Sequence, residues 1–175
     1  ASDVRDTRGI VDPARLLEVV EFARHPAGEA LDGLIDWFWS VRWDLPAGQE
    51  HVQHVLGHPS ANLSIGTTDD AGATVTRPRG RAYGPTTRLS ARHLAGPGWT
   101  VAAKTTAGGL GAFHPGAATR LTDRAVALDE LGLAGGSLVA AVTAAEGESA
   151  RVALLRDALE RVVAAADPAR VAQAR

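Results

Sequence analysis

The chain has 175 residues, a formal net charge of −2, and 45% hydrophobic against 22% charged residues. These values fit one globular domain with at most a small addition, and the slightly acidic balance argues against a nucleic-acid-binding surface. The lack of cysteine excludes disulfides, thiolate catalysis and zinc–cysteine sites. Because there is no membrane-length apolar run and no signal pattern, we expect a cytoplasmic protein without membrane contact.

The first elements are short. Residues 1–13 are polar and predicted to be irregular, and the apolar segment 16–24 fits either a helix or a strand that Pro26 ends. Residues 28–33 have room for one helical turn.

Residues 35–43 carry three of the four tryptophans at spacings of two and four, which predicts a β-strand. One face of this strand would carry Ile35, Trp37, Trp39, Val41 and Trp43. The other face would carry Asp36, Phe38, Ser40 and Arg42. The aromatic face is either the core of a β-domain or the lining of a small-molecule pocket, and a barrel interior could serve as both.

Short strands separated by Gly/Pro turns follow, and this pattern is typical of a sandwich or barrel. These strands are predicted at 51–56, 62–67, 73–76, 80–83, 88–93 and 99–106. Residues 69–72 form a good hairpin loop.

The pattern then changes to helices, with a short one predicted at 108–113 and helical sequence from Ser137 onward. Residues 148–166 form the clearest helix, and Asp167 followed by Pro168 predicts the start of another one. The apolar seam of the 148–166 helix comprises Val152, Leu155, Leu159, Val162 and Ala166, widened by Leu154, Ala158 and Val163.

Five segments occur in an order that is informative as a set. They are Leu-Ile-Asp-Trp-Phe-Trp-Ser-Val-Arg-Trp-Asp-Leu at 34–45, the His-Pro turn within 55–63, Leu-Ala-Gly-Pro-Gly at 94–98, Gly-Gly-Leu-Gly-Ala-Phe at 108–113, and Leu-Thr-Asp-Arg at 121–124. This set resembles the N-terminal regulatory domain of a subgroup of AraC/XylS-type transcriptional regulators. The sequence differs from that pattern at 104–107, where Lys-Thr-Thr-Ala replaces an arginine-containing run.

The resemblance implies an α+β fold, with a mostly antiparallel, cupin-like β-barrel over residues 1–147. It also implies a C-terminal helix at 148–166 through which the domain forms a homodimer. Residues 167–175 would begin a linker to a helix-turn-helix DNA-binding domain that this sequence lacks, so DNA would be contacted only through that absent domain. The expected function is that of a small-molecule sensor within a transcription factor, and the expected effector has apolar bulk.

No catalytic signature accompanies this pattern. His51, His54 and His58 have the wrong spacing for a cupin metal site, which needs two histidines two residues apart. The glycine-rich turns lack the phosphate-loop and dinucleotide spacings, and no nucleophile elbow is present. We therefore predict no enzyme activity, metal or cofactor. The alternatives are a cupin-type metalloenzyme, a stand-alone small-molecule binding protein, and a domain that only dimerises around a filled interior.

The candidate ligand-binding residues combine flat aromatic surface with a few polar groups on neighbouring strands. They are Trp37, Trp39, Trp43, His54, Asn62, Trp99 and Lys104. Lys104 could pair with an anionic ligand.

Overall fold

The structure is a computed structural model that describes residues 12–114, 118–133 and 135–175. Its strands are β1 (Val20–His25), β2 (Ile35–Asp44), β3 (Glu50–Val55), β4 (Asn62–Thr68), β5 (Thr74–Tyr83), β6 (Ser90–Ala95), β7 (Pro97–Thr105) and β8 (Ala125–Ala127). Its α-helices are α1 (Pro13–Leu17), α2 (Leu110–Phe113), α3 (Gly135–Ala144), α4 (Glu148–Ala165) and α5 (Pro168–Ala174). Short 3-10 turns lie at Glu29–Leu31, Ala118–Leu121 and Leu128–Leu131. The irregular segment predicted at 1–13 lies almost entirely outside the described residues.

The strands form two sheets. Six antiparallel strands pair in the order β1-β2-β7-β4-β5-β8, and β3 pairs with β6 in a separate two-stranded sheet. This confirms the predicted α+β fold of mostly antiparallel strands followed by helices. The two sheets do not close into a barrel within the described ranges, because β3 and β6 pair with each other instead of joining the edges of the larger sheet.

Strand β5 is longer than predicted. The sequence suggested separate strands at 73–76 and 80–83. In the structure both segments belong to β5, which pairs with β4 along most of its length and with β8 only at 81–83. Among the residues that the structure describes, no strand pairs with β5 at Pro78 on the side away from β4, and such edge positions tolerate proline because its missing N–H is not needed there.

One face of the six-stranded sheet carries the main core, which the helices cover. Helix α4 packs on β2 and β7 and buries Val152, Leu155 and Leu159 against the sheet. Small residues on the strands make room for the helices: a Cβ on Gly80 would lie 2.9 Å from side-chain atoms of both Leu128 and Val139.

The last helix belongs to the same unit. Asp167 accepts a hydrogen bond from the backbone N–H of Ala169, and Pro168 begins α5, which confirms the predicted cap. Val171 and Ala174 are buried, and α5 packs on α2. Of the helices in the described ranges, none combines the length and apolarity needed to span a bilayer.

The tryptophan segment forms the predicted strand, but its faces differ in part from the prediction. Trp37, Trp39, Val41 and Trp43 share a face, as alternation requires. Ile35 lies instead in the helix-covered core with Phe38, because the β2–β7 register shifts between Ile35 and Trp37. Phe38 is fully buried, so the face of β2 opposite the tryptophans is covered at this position.

His25 couples this core to pH. Its Nε2 lies 3.1 Å from the Ser40 hydroxyl on the helix-covered face. Burial, followed by the nearby Arg156 charge, lowers the pKa of His25 below its usual value of 6.5. Because the unfolded chain takes up the proton more readily, His25 contributes stability above pH 6.5 that is lost as the pH falls below this value. We expect the Tm, followed by circular dichroism, to fall between pH 7.5 and pH 5.5, and to fall less in His25→Gln.

The control is His54→Gln, because His54 is exposed on β3. It should keep the wild-type pH profile. A His25→Gln profile that superimposes on the wild-type profile would show that His25 has no such role.

Candidate ligand-binding cavity

A cavity of about 630 Å³ lies between the two sheets, on the side opposite the helices. Its larger wall consists of residues from β1, β2, β7, β4 and β5. Its smaller wall is formed by β3 and β6, together with the loops that follow β3 and β5. This volume lies within the range of pockets that hold organic small molecules.

Four cavity-lining residues stand side by side across four strands. Trp37 on β2 pairs with Lys104 on β7, Lys104 pairs with Asn62 on β4, and Asn62 pairs with Tyr83 on β5. Directly paired residues project from the same face of a sheet, at close spacing. The register therefore produces one continuous row of aromatic and polar side chains, which we call the central row.

Trp39 lies beside this row and reaches across β7. Its indole N–H donates a hydrogen bond of 3.1 Å to Oδ1 of Asn62, two strands away. The intervening residue, Ala102, is small and fully buried, so the indole passes over it. Phe22 stacks on Trp39 with ring centroids 6.4 Å apart. Trp39 therefore covers the sheet and forms an apolar wall of the cavity.

Trp37 lies between two cations from the flanking strands. The Arg24 guanidinium on β1 is 4.0 Å from the indole centroid, and the Lys104 ammonium on β7 is 4.3 Å from it. Lys104 also donates a hydrogen bond of 2.6 Å to Asp36, and only 12% of its side chain is exposed. Both faces of Trp37 are thus occupied by cations, which attract the electron-rich ring. Trp37 therefore holds the Arg24 and Lys104 cations at the cavity and has little ring surface left for stacking on a ligand.

Tyr83 connects the two walls. The guanidinium of Arg92, on β6, lies 5.2 Å from its ring centroid. Burial raises the pKa of the Tyr83 phenol, so the group stays neutral at physiological pH. Gln53, which pairs with Arg92 across β3 and β6, is buried in the same wall.

Asp123 ties the loop that follows β5 to the segment before β8 at the cavity rim. It accepts hydrogen bonds from the Thr87 backbone N–H at 2.9 Å, the Thr87 hydroxyl at 2.7 Å and the Thr86 hydroxyl at 3.2 Å. These donors, led by the two from Thr87, lower the pKa of Asp123. Exposed Leu56 and Leu89 complete an apolar rim.

The structure brings five of the seven candidate residues to the cavity. These are Trp37, Trp39, Trp43, Asn62 and Lys104. Trp99 lies on the opposite face, because it pairs with Arg42; its ring packs 4.0 Å from the Arg151 guanidinium of α4. His54 is exposed on the outer face of β3, whereas its neighbours Gln53 and Val55 line the cavity. These two placements correct the expectation that Trp99 and His54 face the interior.

Several lining residues were not among the candidates. Among them are Phe22, Arg24, His58, Tyr83 and Arg92. The alternation of Phe22 and Arg24 was a usable signal, but segment 16–24 fitted helix and strand equally. In the structure its first part is α1 and its second part is β1.

The histidines that were considered as metal ligands are separated. The His51 ring lies 3.3 Å from the Gln53 amide oxygen, His54 is exposed, and His58 lines the cavity. Among the residues that the structure describes, no three His, Asp or Glu side chains converge as a metal site would require.

Comparison with known families adds one result. Residues 23–127 match the family described as Domain of unknown function (DUF6597). The chain belongs to this family. The matched range runs from β1 to β8 and so includes both sheets of the DUF6597 fold, whereas α3, α4 and α5 lie beyond it. Comparisons with curated proteins and with solved structures found no match.

Proposed function

We propose that this DUF6597 chain is the small-molecule-sensing regulatory domain of a transcription factor of the AraC/XylS type. The observation that carries the proposal is the cavity of about 630 Å³, which combines tryptophan walls with a few fixed polar groups. Such a composition suits an organic effector, because apolar contact supplies affinity and the polar groups supply orientation. The ordered motifs at 34–45, 55–63, 94–98, 108–113 and 121–124 support the regulatory role.

The proposed signal passes through the six-stranded sheet. Lys104 faces the cavity, and the adjacent Ala103 packs in the core beneath α4. In the same way, Trp37 and Trp39 flank Phe38 on β2. An effector that shifts the central row would therefore move residues that support α4. This yields a regulatory change only if the effector binds two conformations with different affinity.

The same proposal includes a homodimer formed through 148–166, a cytoplasmic location, and DNA contact only through a separate DNA-binding domain. The predicted seam is largely used within the chain, since Val152, Leu155 and Leu159 are buried. A partner helix would contact the remaining surface of α4. Two-fold symmetry would suit a regulator that reads paired half-sites.

The cavity is tested with N-phenyl-1-naphthylamine, a neutral apolar dye whose own emission rises in apolar surroundings. We expect saturable binding to the wild type and about ten-fold weaker binding to Val55→Trp, because the indole would fill space that Val55 leaves open. The matched control is Val52→Trp on the same strand. Val52 is 43% exposed on the outer face, so its replacement should leave the affinity within two-fold.

A wild-type protein that does not bind the dye would contradict the proposed sensor. Equal loss of binding in Val52→Trp and Val55→Trp would also contradict it, because the dye would then bind elsewhere. Near-ultraviolet circular dichroism of each variant establishes that its tertiary packing is intact.

A further inference from the structure

Three polar side chains at the cavity each present hydrogen-bond donors to it: Asn62, Lys104 and His58. Asn62 shows this first. The Trp39 indole nitrogen can only donate, so the amide oxygen of Asn62 must face Trp39. The distance of 3.1 Å from Nε1 of Trp39 to Oδ1 of Asn62 agrees with this orientation. The amide NH2 of Asn62, which carries two donors, is then the end available to a ligand.

Lys104 is the second donor. Its ammonium has three N–H groups, and one of them donates to Asp36 at 2.6 Å. Lys104 stands directly beside Asn62 across the β7–β4 pair, and both line the cavity. Its remaining N–H groups can therefore donate to the same functional group of a ligand as the Asn62 amide.

His58 is the third donor. Its Nδ1 accepts a hydrogen bond of 3.2 Å from the Ser60 backbone N–H, which can only donate. The ring proton must then reside on Nε2. His58 is exposed at the mouth of the cavity, and partial desolvation followed by the Lys104 charge lowers the pKa of its ring, which favours the neutral form with its single Nε2 donor.

The charge of the lining agrees with this pattern. Although the chain is net negative, five cationic side chains line the cavity against two carboxylates. The cationic residues are Arg24, Arg88, Arg92, Lys104 and Arg124. Both carboxylates already have partners: Asp70 accepts from Arg81 at 2.8 Å, and Asp123 accepts from Thr86 and Thr87. A cavity of this charge attracts anions.

We propose that the effector of this cavity is an organic anion whose carboxylate or sulfonate is bound by Lys104, Asn62 and His58. Its apolar part lies against Trp39 and Trp43. This assignment rests on the proposed sensor function and specifies the class of its ligand. Charge-assisted hydrogen bonds from an ammonium are stronger than neutral ones, so Lys104 supplies most of the preference for a charged ligand.

The test compares two dyes that differ by one anionic group. These are 8-anilinonaphthalene-1-sulfonate and its neutral parent, N-phenyl-1-naphthylamine, each titrated into the protein and followed by dye emission. We expect the sulfonate to bind about ten-fold more tightly than the neutral dye. Competition by benzoate but not by benzamide extends the result to carboxylates.

Three variants test whether the anionic group binds at Lys104 and Asn62. Lys104→Gln should weaken sulfonate binding about ten-fold. Asn62→Asp, which keeps an acceptor for Trp39 but adds a negative charge, should weaken it to a similar extent. Asp36→Asn should strengthen sulfonate binding about three-fold, because it removes the carboxylate that competes for Lys104. The neutral dye should change by less than two-fold in all three variants.

Arg161→Gln is the control for charge alone, since Arg161 is exposed on α4, on the far side of the sheet. It should leave both affinities unchanged. Binding of the neutral dye without preference for the sulfonate would overturn the anion assignment and leave the sensor proposal intact. Weaker sulfonate binding in Asp36→Asn would overturn it as well. Failure of the wild type to bind either dye would overturn both proposals.

Discussion

Phe38→Ala is expected to lower the free energy of unfolding by about 3–5 kcal/mol, the usual cost of truncating a fully buried phenylalanine. Phe38 is completely buried between the six-stranded sheet and the helices, and the Arg156 guanidinium lies 4.9 Å from its ring centroid. Its removal leaves a void at the centre of the main core, and close-packed neighbours can fill that void only in part. Urea unfolding, followed by circular dichroism, measures the loss.

The matched control is Phe22→Ala, the same change on the adjacent strand β1. Phe22 is half-buried and faces the cavity, where space already exists beside it. We expect a cost of about 1–2 kcal/mol, because less apolar area returns to water and little new void forms. Equal costs for the two variants would show that the helix-covered face is not the main core.

The contrast between these two phenylalanines explains why the sequence predicted the strand but not its burial. Alternation placed the tryptophans on one face of β2, and that face was taken as the apolar one. Phe38 and Ser40 belonged to a face that also held Asp36 and Arg42, so nothing local marked it as covered. Its burial comes from α4, more than 100 residues further along the chain.

The candidate site shows a similar limit. Trp99 and Lys104 are five residues apart on β7, so alternation alone excludes their sharing a face. The sequence does not show which of them faces the cavity, because that depends on the pairing of β7 with β2 and β4. The central row is a product of register between strands that are distant in sequence. The pattern within one strand restricts which of its faces is buried, but it does not identify the partner residues on strands that are distant in sequence.

Signals that are local predicted more. The 3.6-residue period identified the helix that the structure places at Glu148–Ala165, and the Asp-Pro cap identified the start of α5. The Gly/Pro spacing identified many short antiparallel strands, but it could not distinguish a closed barrel from two sheets. That distinction depends on whether β3 and β6 pair with the larger sheet or with each other.

Leu159→Asp is expected to prevent stable folding of the domain, with a loss of more than about 4 kcal/mol. Leu159 is fully buried in the main core, so the variant loses its apolar contacts and places a carboxylate where water is excluded. The control is Arg161→Asp, two positions along α4 on its exposed side, which should cost less than about 1 kcal/mol. Thermal and urea unfolding of the two variants measure the difference.

The position of Leu159 also decides how the proposed homodimer is tested. A monomeric or aggregated Leu159→Asp protein would report loss of the fold and not loss of an interface, because the side chain is inside its own chain. Ala164 and Ala165 are exposed near the end of α4, so Ala165→Arg tests the outer surface without opening the core. We expect the wild type to sediment as a dimer and folded Ala165→Arg to sediment as a monomer. A wild-type protein that stays monomeric at high micromolar concentration would exclude a dimer of this chain alone. A Leu159→Asp protein with the stability of the wild type would contradict the packing of α4 on its own sheet.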